Sequence, residues 1–186
     1  MQAKAAWLWS RRRGIFAGFS AALYGSKWVD PTRPAELIRR NRNRLPGLRV
    51  WSDRRSPDEV QVVEGVAVTT PARTALDLAC WYPTLTAVPA VDALARACEL
   101  KTCEVKFLVQ RCRGRRGVKR ARESVELVDA GAQSPKESWL RVILVRAGLP
   151  RPQTQIPIAF APHWLGERDD TVTPAIERDC GATLGV

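Results

Sequence analysis

The stretch Gly65-Val-Ala-Val-Thr-Thr-Pro-Ala-Arg-Thr-Ala-Leu-Asp-Leu-Ala-Cys80 reads as a short strand running straight into a helix. Val66 and Val68 alternate with small or polar residues, the period-two pattern of a half-buried strand. Thr70 stands at the N-cap position, and Pro71 takes the first helical position, where its missing N–H costs nothing. Ala72, Ala75, Leu76, Ala79 and Cys80 then recur at helical spacing and are expected to face a core. Arg73 and Asp77 are four apart, and on a solvated flank such a pair is worth a few tenths of a kcal/mol.

Upstream, the pattern predicts a helix over residues 3–13 that ends in the basic run Arg11-Arg12-Arg13, and a short helix capped by Ser20 and closed by Gly25. Four short strands are expected, over 36–40, 48–52, 60–63 and 66–69, the last two joined by a hairpin at Glu64-Gly65. Downstream, helices are expected over about 71–81, 88–100, 105–112 and 118–128. Strands first and helices afterwards make an α+β domain over residues 1–130, a small and mostly antiparallel sheet followed by a helical region. Ser134-Pro-Lys-Glu137 is a capping box with Pro at the first helical position, and opens a helix that runs to Gly148. A strand over 153–158 follows, so residues 131–158 look like the start of a second, incomplete α/β domain. From residue 159 the periodicity fades into a weakly ordered tail, in which residues 167–186 hold five acids against two bases.

Composition narrows the function classes. The chain has 186 residues, 45% of them hydrophobic, enough for one sizeable core. Lys and Arg number 30 against 19 Asp and Glu, a net charge of +11 that favours a polyanionic partner, nucleic acid before membrane surface. No window is long and apolar enough for a membrane span, and the run from Ala5 to Trp9 is too short for a signal-peptide core, so the expected location is the cytoplasm. The five cysteines form no Cys-x-x-Cys pair and only His163 stands beside them; free, mostly buried thiols are expected and no metal site.

Three basic groups are the candidate nucleic-acid contacts. Arg111, Arg113, Arg115, Arg116, Lys119, Arg120 and Arg122 place seven positive charges in twelve residues without an acid among the seven. Arg39, Arg40, Arg42 and Arg44 form a second group at a turn, and Arg11, Arg12 and Arg13 a third. Guanidinium forks match phosphate oxygens and give salt-sensitive, sequence-blind affinity. Trp7, Trp9, Trp28, Trp51, Trp81 and Trp139 are scattered on apolar faces and are expected in the core rather than on a stacking platform.

Five words of this sequence carry a family resemblance: Ala5-Ala-Trp-Leu-Trp-Ser10, Phe19-Ser-Ala-Ala-Leu-Tyr-Gly-Ser-Lys-Trp28, Val68-Thr-Thr-Pro-Ala-Arg-Thr-Ala-Leu-Asp-Leu-Ala79, Val91-Asp-Ala-Leu-Ala-Arg96 and Ser134-Pro-Lys-Glu-Ser-Trp-Leu-Arg141. With them, residues 3–158 resemble a group of actinobacterial, especially mycobacterial, proteins. In these an AbiEi-antitoxin-like region precedes a Vsr-like endonuclease-type domain of the PD-(D/E)xK kind. The resemblance implies truncation at both ends: relatives carry a winged-helix segment ahead of the first word, and past Ile158 they continue into strands bearing the Mg²⁺-holding carboxylates. Ile176-Glu-Arg-Asp-Cys-Gly181 matches one of those motifs only superficially.

Glu137 is the catalytic candidate by family position, although its capping role explains it without catalysis. The reading that follows is a basic, nucleic-acid-associated protein of an antitoxin-like, nuclease-related family, without catalytic activity and without a cofactor. DNA and a cognate toxin are its expected partners, and the oligomeric state stays open. The alternatives are a Mg²⁺-dependent Vsr-like DNA endonuclease and a toxin-binding antitoxin-like protein.

Overall fold

The computed structural model describes residues 2–22, 33–39, 46–154 and 156. It divides into two units, Met1–Gln155 and Ile156–Val186, and of the second only Ile156 is described. The expected tail from residue 159 therefore lies outside the described residues. So do Gly25, Arg40, Arg42, Arg44, Trp28, His163 and Cys180.

The first unit is α+β, as the order of strands and helices predicted. Its strands are β1 (Ile15–Phe16), β2 (Ala35–Ile38), β3 (Leu48–Trp51), β4 (Val60–Val63) and β5 (Val66–Thr69). They form one sheet in the order β3-β2-β1-β5-β4. The sheet is mixed rather than mostly antiparallel: β1–β2 and β4–β5 run antiparallel, β1–β5 and β2–β3 parallel. Half of the difference comes from β1, two residues that the pattern did not reveal and that supply the parallel pairing to β5; the other half is β2 and β3, which run parallel to each other. Phe16 pairs with Leu37 on one side and Val68 on the other and thereby holds the sheet's two halves together. The hairpin between β4 and β5 is as expected, with Glu64 and Gly65 both at positive φ, +49° and +76°, the geometry of a type I′ turn.

The described residues of the unit also form seven α-helices: α1 (Gln2–Trp9), α2 (Gly18–Ala22), α3 (Pro71–Trp81), α4 (Thr84–Ala97), α5 (Thr102–Arg111), α6 (Val118–Glu126) and α7 (Pro135–Arg146). α1 ends before the basic run, not after it. Arg11 and Arg12 take left-handed conformations at φ +55° and +60°, and the Ser10 hydroxyl accepts from the Gly14 N–H at 2.9 Å to close the turn. Ser20 is no N-cap, because α2 starts two residues earlier; its hydroxyl lies inside the helix and accepts from the Glu36 N–H at 2.8 Å. The buried Glu36 carboxylate in turn accepts from the Phe19 N–H at 2.7 Å, satisfying the start of α2.

α3 is the hub. It packs against α2, α4, α5 and α6, and every residue from Arg73 to Cys80 is buried. A helix covered all round has no solvated flank, so the Arg73–Asp77 pair lies inside the molecule rather than on its surface. One core joins the helices through Leu76, Leu78, Val91, Leu94, Leu108 and Val125; a second, under the sheet, holds Ala6, Phe16, Leu37 and Val68.

The helix expected to open a second domain is packed on the first. Asp92 of α4, wholly buried, receives the Ser138 hydroxyl at 2.6 Å, the Asp129 N–H at 2.8 Å and the Arg141 guanidinium. Pro89 interrupts α4 without an N–H to give to the carbonyl of Leu85, and the Trp139 indole supplies that bond from α7 at 2.8 Å. Two of the family words, around Asp92 and around Ser138, are thus two sides of one contact. Gln153 and Thr154 are not in a strand, and residues 157 and 158 lie outside the described set. Among the described residues no helix is long and apolar enough to cross a membrane.

Candidate nucleic-acid interface

The arginine-dense run from Arg111 to Arg122 divides into two kinds of residue. Arg111 bonds Asp58 at 2.8 Å and also Glu59, while Arg115 bonds both Asp53 and Asp77 at 2.6 Å. With Arg73, which bonds Glu59 and Asp77, these form an alternating ladder Asp53–Arg115–Asp77–Arg73–Glu59–Arg111–Asp58 through the middle of the molecule. Burial works against the Arg115 charge, and the carboxylates of Asp77 and Asp53 more than offset it, holding the group fully protonated. Burial likewise pushes the Glu59 carboxyl up, but the Arg111 hydrogen bond and the Arg73 charge together hold it below the usual carboxylate range. Two of the seven candidate contacts are therefore structural cations. Arg120 is partly so, since its guanidinium caps the Cys80 carbonyl at the end of α3.

Arg113, Arg116, Lys119 and Arg122 are exposed and make no ion pair among the described residues. Two of them, Arg116 and Lys119, line a groove of about 1050 Å³ together with Arg49, Arg120, Trp51, Trp81 and Asp53. One wall is the strand β3, an outer strand of the sheet, and the other is the start of α6 with the end of α3. Within the second wall α6 starts tight against the end of α3, because Gly117 takes φ +85° directly against the Cys80 carbonyl, where a Cβ would overlap the oxygen. Gly117 is also the N-cap of α6 and brings no side chain to it, so the first-turn N–H groups have no side-chain cap beside Arg116 and Lys119. Asp53 is the one acid in the lining, and it is already engaged by Arg115 and by the Trp81 indole N–H at 3.0 Å.

Trp51 and Trp81 stack at 4.0 Å between ring centroids with planes 5° apart, and both are only half-buried. The expectation of core tryptophans holds only in part: Trp7, Trp9, Trp51 and Trp81 are half-buried, with Trp7 and Trp81 packed against the two cores, and Trp139 is exposed. The Arg115 guanidinium lies 5.6 Å from the Trp81 ring centroid. Arg49 enters the groove from β3 and donates to the Tyr82 hydroxyl at 2.9 Å, which itself donates to Glu36. The Cys80 thiol also lines the groove, but burial pushes its pKa up to about 11, so it stays a protonated, unreactive thiol. Of the four described cysteines only Cys80 is buried; Cys98 and Cys103 are exposed, contrary to the expectation of mostly buried thiols. They line a second cavity of about 580 Å³ together with Asp58, Glu59, Glu99 and Glu104 against the single cation Arg111, a poor host for phosphate.

The other candidate residues lie elsewhere. Arg11, Arg12 and Arg13 are exposed beyond α1; Arg12 sits 5.5 Å over Trp7 and Arg39 5.3 Å over Trp9, and none of the four lines the groove. Glu137 is taken up in its cap: its carboxylate accepts from the Gln133 N–H at 2.9 Å and the Ser134 hydroxyl at 2.8 Å, which hold its pKa below the usual range. Among the described residues no three His, Cys, Asp or Glu side chains gather where a metal ion could be held.

Residues 20–127, from α2 through α6 and so including both walls of the groove, match the AbiEi antitoxin C-terminal domain. The chain belongs to this family. Two proteins of Mycobacterium tuberculosis, from strains CDC 1551 and H37Rv and both described as uncharacterized, are each 32% identical to it over 141 residues. The match covers 76% of this chain and 52% of theirs, so the chain spans about half the length of the curated relatives it matches. No solved structure matches. The AbiEi domain thus supplies the hub helix α3, the sheet edge at β3 and the ion ladder between them. The α7 contact lies beyond the matched residues.

Proposed function

We propose that this AbiEi domain is the antitoxin side of a toxin–antitoxin pair and that it contacts nucleic acid through the groove between β3 and α6, without catalysing a reaction on it. The observation that carries the reading is the pairing pattern of the charges. The acids next to the basic run are consumed by Arg73, Arg111 and Arg115, which leaves Arg49, Arg116 and Lys119 facing one concave surface without a competing free carboxylate. Cations so arranged exchange condensed counterions for protein contacts and bind phosphate without reading sequence.

Fluorescence anisotropy with a labelled duplex tests this. If these three groove cations meet phosphates, affinity falls roughly fortyfold between about 50 and 200 mM salt. The pair Arg116→Glu and Lys119→Glu lowers the slope of log affinity against log salt by about two. Affinity that ignores salt, or that survives both reversals, overturns the nucleic-acid part. The antitoxin part expects the full chain to relieve growth arrest by the toxin it is paired with, and fails if co-expression changes nothing. The metal-dependent nuclease reading has less support, because Glu137 is engaged by its own cap and stands apart from other described carboxylates.

A further inference from the structure

The groove has a feature that phosphate contact alone does not call for. A wall meant only for backbone phosphates needs cations; this one also has two stacked indoles in its lining. Near-parallel stacking is one of the arrangements aromatic pairs favour, and here one ring of the pair is held in place. The Trp81 indole is pinned by Asp53 through its N–H, and Asp53 is in turn gripped by Arg115, whose guanidinium lies over the Trp81 ring. Trp51 lies against this fixed ring from an outer strand, in a groove flanked by Arg49, Arg116 and Lys119.

We propose, resting on the nucleic-acid reading above, that the groove takes single-stranded nucleic acid, with an unpaired base extending the stack on the face of Trp51 turned away from Trp81 and the flanking phosphates on Arg116, Lys119 and Arg49. In a duplex the base faces are already stacked on each other, so an indole gains nothing from it. An unpaired strand offers a free π-face on every nucleotide, and base–aromatic stacking beside a cationic groove is how sequence-tolerant single-strand binders hold their ligand. The groove's volume of about 1050 Å³ admits more than one nucleotide, and its lining holds both the indoles and the cations that a base and its phosphate require.

The test compares three labelled probes at one salt concentration: an oligothymidylate of about 12 nucleotides, within the range of single-strand site sizes, an abasic oligonucleotide of the same length, and a duplex of that length. The abasic strand carries the phosphates without the bases. Anisotropy is expected to give the oligothymidylate an affinity about 5- to 100-fold above the abasic strand and above the duplex, and Trp51→Leu should bring the ratio to the abasic strand towards one. Arg116→Gln with Lys119→Gln should weaken both strands by a similar factor. Should Trp51→Leu lose the fold by circular dichroism, ultraviolet crosslinking of an oligonucleotide carrying 5-iodouracil to the unaltered protein decides instead, with the adduct expected on the peptide containing Trp51 or Trp81. Equal binding of the thymidylate and abasic strands, a preference for duplex, or an adduct elsewhere overturns the base-stacking inference and leaves the nucleic-acid reading standing. If none of the three probes binds at low salt, both fall. Binding of all three that polyglutamate displaces is plain ion exchange and overturns the inference as well.

Discussion

Replacing Asp92 by Ala removes the acid that ties α7 to α4, and its cost follows from what it strands. Arg141 is 1% exposed, and its close partners are the Asp92 carboxylate and, at 3.2 Å, the Leu127 carbonyl. Asp129 stands 3.9 Å from the guanidinium, a looser contact. Without Asp92 a buried guanidinium loses its counter-ion, and the Ser138 hydroxyl and Asp129 N–H lose their acceptor. Breaking a buried pair from one side costs about 3–5 kcal/mol, a third or more of the stability of an ordinary domain. In urea denaturation, with a slope of about 2 kcal/mol per molar, the midpoint falls by roughly 1.5–2.5 M. The double variant Asp92→Leu with Arg141→Met removes both charges and is expected to recover most of the loss.

The single change Arg141→Met gives a second signature. Burial already pushes the Asp92 carboxyl above its ordinary value, against the hydrogen bonds of Ser138 and Asp129 and the charge of Arg141. Loss of the guanidinium raises it further. The folded chain then takes up a proton at a pH where the unfolded chain does not, so this variant gains stability relative to the unaltered protein as pH falls from neutral towards about 4. A cost for Asp92→Ala below about 1 kcal/mol, or a double variant no better than the single one, would refute the view that this cluster docks α7.

Three further outcomes follow from other contacts. Gly117→Ala places a Cβ at a left-handed residue and against the Cys80 carbonyl; it is expected to cost about 2–4 kcal/mol in chemical denaturation, strain and overlap together. Glu59 is held ionised below its unfolded-state pKa by Arg111 and Arg73, so its contribution is fully present above about pH 4.5 and is lost as pH falls through the folded value. Arg111→Gln should therefore destabilise at neutral pH, and the gap to the unaltered protein should narrow on acidification; a gap independent of pH would contradict the pairing. Ser134→Ala removes the cap of α7 at a cost of about 1 kcal/mol, whereas Glu137→Gln keeps an acceptor for the Gln133 N–H but gives up the charge and the second acceptor that meets the Ser134 hydroxyl, and lowers the melting temperature slightly at neutral pH. Divalent-metal-dependent cleavage of DNA by the full chain, lost in Glu137→Gln while that variant stays folded, would make Glu137 more than a cap.

The legible parts of this fold are those whose signals are local. The Thr70-Pro71 and Ser134-Pro135 starts give α3 and α7 at the predicted first residue, because a cap is written within four positions of the chain. The Glu64-Gly65 hairpin is local in the same way. β1 is invisible because two residues carry no period, and without it the parallel pairing to β5 cannot be inferred; β2 and β3 are legible as strands, but their relative direction is not written in a local pattern. The site was half legible. Clustering showed where the cations are concentrated but not which were free, since Arg115 finds Asp53, 62 positions away, and Arg111 finds Asp58 at 53. Arg73 and Asp77 show the same i, i+4 spacing on a bare helix as on a covered one. Trp51 and Trp81 read as two unrelated apolar residues, because their stacking depends on β3 meeting the end of α3.

The alternating ladder from Asp53 to Asp58 also bears on how such a chain can change over generations. Each inner member touches two neighbours of opposite sign, so replacing one of them leaves a charge stranded on either side. A lineage altering these positions one codon at a time must pass through a poorly folded form. Residues 59, 73, 77, 111 and 115 are thus expected to be inherited as a block, retained together or exchanged together, while Arg113 and Arg122, outside both the ladder and the groove, are free to drift.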